Sequence, residues 1–191
     1  MDSGIAAVLG AAVGAAGTVA AGLVSGWASR STTRLQLRAE HVRLLREPRR
    51  SAYLRYAERY HAIYGQLSDA EVHLRDALDL DNDERHDDLE DARRLIREAD
   101  TLLDNGTEEL AVAVQVEGPS AVREAVIAAN SRLHSHRVVT KRMLHALMAG
   151  EATQEQMEQL REIESASWDA YDTFVDAVSV TLQADGISTT L

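Results

Sequence analysis

Only two prolines, Pro48 and Pro119, interrupt this chain of 191 residues, and past Gly26 glycine stands only at Gly65, Gly106, Gly118, Gly150 and Gly186. A chain so poor in breakers must build long uninterrupted elements. Alanine, leucine, arginine and glutamate dominate it, and all four lose little on entering a helix. Aromatic residues make up only 4%, and β-branched residues rarely alternate with polar ones, so strands have little support. The expected fold class is all-α.

The apolar spacing divides the body into helices. Arg30 to Glu47 reads as a basic helix with Leu35, Val42 and Leu45 on one side. Pro48 disfavours helical geometry in the residue before it and suits a first turn, so a bend is expected there. From Pro48 to about Leu80, Tyr53, Tyr56, Ala57, Tyr60, Ile63, Tyr64, Leu67, Ala70, Leu74 and Leu78 recur at intervals of three and four, the mark of an amphipathic helix. "DLDNDER" supplies a turn with Asp81 or Asn82 as N-cap. The third helix is expected over Asp83 to Val116, kinked at Asn105–Gly106. Gly118 then closes it in a left-handed conformation and Pro119 opens the fourth, which runs to Met148 before Gly150. Thr153 and Gln156 form a capping-box pattern for a fifth helix ending near Gly186. Four amphipathic stripes joined by short connections can cover one another, which predicts an antiparallel four-helix bundle over residues 48–186 with a tail at 187–191.

The segment before the body has a different solvent. "GIAAVLGAAVGAAGTVAAGLVSGWASR" carries no charge until Arg30. A helix from Ile5 to Trp27 would be about 35 Å long, enough to cross a hydrocarbon core of roughly 30 Å with modest tilt. A cleavable signal peptide needs a basic start and a shorter apolar run, whereas this one starts "MDSG". Residues 1–29 are therefore expected to form a transmembrane anchor and residues 30–47 a basic juxtamembrane helix.

The net charge of −11 hides a division. Between Arg30 and Arg59, nine arginines stand against Glu40, Glu47 and Glu58, whereas the chain from Tyr60 onward is strongly acidic. Arg30, Arg34, Arg38, Arg43, Arg46, Arg49 and Arg50 follow the apolar run directly, so the positive-inside rule puts the N-terminus outside and the bundle in the cytoplasm. The same arginines are expected to lie on the anionic lipid surface, each adding about 1 kcal/mol of attraction. Gly10, Gly14 and Gly17 share one face of the span, and Gly22 and Gly26 form a second pair. Small faces let membrane helices approach closely, so these glycines are candidates for span packing.

Chemistry is harder to find. Tyr53, Tyr56, Tyr60 and Tyr64 lie on one helical face, read as a core stripe with hydroxyls at its edge. Glu58 and His61 form the E-x-x-H pair of di-iron bundles, but no second copy exists, so no metal site is expected. The run "DLDNDERHDDLED" lacks the glycine that a calcium loop needs at its sixth position. Nucleophile elbow, phosphate loop and zinc-protease motifs are absent, and there is no cysteine. An acidic body repels phosphates, so nucleic acid is not an expected partner. No cofactor, catalytic residue or small-molecule substrate is expected.

"REPRRSAYLRYAERYHAIYGQL" and "LAVAVQVEGPSAVREAVIAANSRL" resemble a recurrent type of uncharacterised actinobacterial small single-span membrane protein. The matching positions are Arg49, Arg50, Ala52, Tyr53, Gly118 and Pro119. The resemblance implies an anchored helical cytoplasmic domain and supplies no site. The functional expectation is a membrane-tethered interaction or scaffold protein without catalysis, its partners being lipid and either another protein or further copies of itself. Two alternatives stay open: a membrane-active oligomer assembled through the glycine-rich span, and a ligand sensor with a pocket in the bundle lined by the tyrosines and some of Glu58, His61 or His136.

Overall fold

The computed structural model describes residues 47–79 and 82–184, and every element among them is a helix. In chain order these are α1 (residues 47–79), α2 (Asn82–Asp104), α3 (Thr107–Glu117), α4 (Ser120–Ala149) and α5 (Gln154–Ala184). The expected anchor, the juxtamembrane stretch up to residue 46, the cap residue Asp81 and the 187–191 tail lie outside the described residues. So do Gly10, Gly14, Gly17, Gly22, Gly26, Arg30, Arg34, Arg38, Arg43 and Arg46. Among the described residues, no helix is long and apolar enough to cross a membrane.

Side-chain contacts set the helix directions. Tyr56 meets Phe174, Tyr60 meets Tyr171, and Tyr64 meets Glu164, so partner numbers fall along α5 as they rise along α1. Arg59 donates to the carbonyls of Leu102 and Asn105, while His73 pairs with Asp88, so α1 and α2 also run in opposite directions. Arg85 donates to the Leu147 carbonyl and Asp100 holds Arg137 and Lys141, giving the same relation between α2 and α4. α3 follows α2 after the break at Asn105–Gly106 and packs on α4, so the described helices form an antiparallel bundle.

The apolar stripes supply its core. On α1, Tyr53, Tyr56, Tyr60, Ile63, Leu67, Ala70 and Leu74 are buried, and on α4 Val122, Val126, Ala129, Leu133, Met143 and Leu147 are too. Met157, Leu160, Phe174, Val178 and Leu182 complete it from α5. Trp168 is 37% exposed; its ring lies at the edge of the core against Tyr64 and Tyr171.

The capping box forms as the spacing predicts: Thr153 N–H donates to Gln156 Oε1 at 2.9 Å, and Gln156 N–H to Thr153 Oγ1 at 3.2 Å. Gly150 closes α4 with φ 72, a left-handed conformation in which a Cβ is unfavourable. Two expectations need correction. The third helix does not merely kink at Asn105–Gly106. It ends at Asp104 and restarts at Thr107, because Gly106 adopts φ 87 and cannot continue a right-handed helix. Arg59 and Thr107 then take up the freed Leu102 carbonyl. Gly118 is not left-handed: with φ −87 and ψ 152 it is extended.

Gly65 stands in the middle of α1 with nothing within 4 Å of where a Cβ would go. Gly65→Ala should therefore stabilise the bundle, by about 0.5–1 kcal/mol, since alanine gives up less backbone freedom in a helix. Denaturant unfolding followed by circular dichroism reads this as a raised midpoint at unchanged slope.

Candidate functional site: a buried polar layer

The core is two apolar clusters rather than one. The first joins Tyr53 to Leu67 of α1 with Val122 to Leu133 of α4 and Phe174 to Leu182 of α5. The second joins Ala70 and Leu74 with Met143 to Leu147 and with Met157 and Leu160. Between them three of the helices place polar side chains on the seam: Tyr64, Ser68 and Glu71 from α1, His136 and Thr140 from α4, Glu164 and Ser167 from α5. Glu71, His136, Thr140 and Ser167 are all buried.

Some of these groups satisfy one another. Ser68 donates to Glu164 Oε1 at 2.7 Å and Tyr64 donates to the same oxygen at 3.2 Å. Tyr60 donates to the Ser167 carbonyl at 2.6 Å, with Ser167 Oγ at 2.8 Å. Thr140 turns its hydroxyl back to the His136 carbonyl. Burial pushes the Tyr60 phenol up to about 12, although the Ser167 contact works against it. It also raises Tyr64, helped by the charge on Glu164.

Two groups are left short. Glu71 accepts from Arg75 at 3.0 Å through one oxygen, while its other oxygen has no hydrogen-bond partner among the described residues. Its carboxyl is held above the usual range, first by burial and then by the charge of Glu164, with Arg75 opposing and a hydrogen-bonding contact with the Glu164 carboxyl adding to the rise. His136 is 0% exposed and neither ring nitrogen has a hydrogen-bond partner among the described residues; the ring of Tyr64 lies 5.7 Å away. Burial lowers this imidazole from 6.5 to about 4, against a weaker upward pull from Glu164. A buried polar atom without a partner loses its water and gains nothing in return, which makes it costly to keep.

The structure does not bring the other sequence candidates together. Glu58 and His61 both lie on the exposed side of α1. Among the described residues, no group of three or more imidazoles and carboxylates could hold a metal ion. Tyr53, Tyr56 and Tyr60 are buried as the core stripe, Tyr56 edge-on to Phe174 at 5.0 Å and Tyr60 stacked on Tyr171 at 4.7 Å. Arg49 and Arg50 sit in the first described turn of α1, Arg50 exposed.

Sequence reading passed over Glu71, Glu164 and Ser167, yet a signal was there. Leu67, Glu71 and Leu74 keep the interval of four and three, as do Leu160, Glu164, Ser167 and Tyr171, and Leu133, His136, Thr140 and Met143. Polar residues at seam positions mark groups that must be buried. No family model, no curated protein and no solved structure matches this chain.

Proposed function

We propose that this chain is a membrane-tethered helical interaction protein, anchored through residues 1–29 and presenting its bundle to a protein partner in the cytoplasm, without a catalytic step. One observation carries the interaction part. α3 is apolar on two sides: Ala111 and Val114 face inward, while Val112 is 50% and Val116 73% exposed. A helix apolar on more than one face normally has more than one neighbour. α3 packs on α4, where Ile127 is 50% exposed at a groove of about 590 Å³ that Leu103, Gln115 and His134 also line. Solvent-facing valine and isoleucine side chains on adjacent helices are what an interaction surface offers.

Support for the tether comes from the uncharged run before Arg30 and the arginines after it. The full chain is expected in the membrane pellet after cells are broken, and a form lacking residues 1–29 in the supernatant. A tagged full chain captured from detergent-dissolved membranes should bring down a reproducible partner, and the triple change Val112→Asp, Val116→Asp and Ile127→Asp should remove it. Full-length chain in the supernatant overturns the tether. Capture unaffected by the triple change overturns the interaction surface, and a ladder of self-oligomers alone favours assembly through the glycines.

A further inference from the structure

We propose that Glu71, His136 and Glu164 form a proton-uptake site, and that filling it loosens the middle of the bundle under mild acid. The inference stands on where these groups lie and does not depend on the membrane reading. Three helices converge on the layer, and an apolar cluster closes it on either side. Imidazole in its neutral form carries one N–H; protonated, it carries two and accepts nothing. Neither nitrogen of His136 has an acceptor in place. A proton added to His136 therefore creates a buried cation whose two donors have no acceptor in place.

None of the charged and titratable groups around it is hydrogen-bonded to the ring in the closed bundle. α1 contributes Tyr64, whose hydroxyl is already donated to Glu164, and Glu71, one oxygen of which is bound to Arg75. α5 contributes Glu164, which already accepts from Tyr64 and Ser68 on one oxygen. α2 contributes Asp100, but Arg137 and Lys141 on α4 hold both of its oxygens. The imidazolium gains its hydrogen bonds only when α4 shifts against α1 and α5, bringing a carboxylate round or admitting water. Mid-bundle packing and the protonation of His136 are thus linked.

The sign follows from the direction of each shift. The folded value of His136 lies below the unfolded one, so its contribution favours folding above about 6.5 and is lost as pH falls from there toward about 4. Glu71 is shifted upward and works in the opposite direction, so the wild-type curve alone does not isolate His136. The test compares the full chain with His136→Leu in detergent, measuring the folding constant at pH 7.5 and pH 5. Over that interval wild type is expected to lose roughly 30-fold relative to the variant. Parallel pH curves would sink the proposal. Should His136→Leu fail to fold, the imidazole of wild type is titrated directly by nuclear magnetic resonance with labelled histidine. A His136 midpoint near 4, with mid-bundle amide signals broadening over the same step, supports the site, and an ordinary midpoint between 6 and 7 overturns it.

Discussion

Tyr60→Ala is expected to cost about 3–5 kcal/mol of folding free energy, the range for removing a large buried aromatic side chain. Tyr60 is fully buried between Tyr56 and Tyr171, so deleting its ring opens a cavity that both neighbours border. The same change strips Ser167 Oγ of its partner in a buried setting. Tyr60→Phe separates the two effects: it keeps the ring and loses only the hydroxyl, at a cost of about 1–2 kcal/mol. Denaturant unfolding of the full chain in mild detergent measures both. Equal losses for the two variants would mean that the hydroxyl contact, and not ring packing, joins α1 to α5 at this level. A domain at the low end of the usual range of about 5–15 kcal/mol would be left partly unfolded at 37 °C by such a loss.

Gly118→Ala should be the costliest glycine replacement in the described part of the chain, at about 1–3 kcal/mol. The reason is space. A Cβ at this position would lie 2.8 Å from the Val114 carbonyl oxygen and 3.1 Å from a Val122 methyl. That carbonyl already accepts the Gly118 N–H at 2.8 Å, and Val122 is fully buried, so neither neighbour can yield cheaply. Gly150→Ala makes the informative control. Its φ of 72 disfavours alanine, but nothing lies within 4 Å, so only a left-handed backbone penalty of about 1 kcal/mol applies. If the order of the two is reversed, the close approach at Gly118 is not what joins α3 to α4.

Gly118 also shows how far local sequence rules reach. "EGP" marks a break between helices, and a break is there. The rule supplies a left-handed glycine as its cause, and that cause is wrong here. The segment turns in an extended conformation, and glycine is needed because Val114 and Val122 close around it. At Gly106 the error ran the other way. A kink was expected, and the left-handed backbone ends the helix outright, since Arg59 on another helix supplies hydrogen bonds to the carbonyls that the break frees.

The helices, their stripes and the capping box at Thr153 were readable because each depends on residues within a few positions of one another along the chain. Intervals of three and four place side chains on one face whatever the neighbour is, and breakers act on their own backbone. The buried layer was different. Sequence alone places Glu71, His136 and Glu164 on their seams, but whether three interruptions meet depends on the axial offset between helices. That offset is set by packing across the bundle: Tyr56 on Phe174, Tyr60 on Tyr171, and Asp100 between Arg137 and Lys141. A shift of one turn would carry His136 about 5 Å along the axis, out of the layer and into one of the apolar clusters. Helical order is thus a property of the chain itself, whereas the polar centre exists only because three seams are held in register.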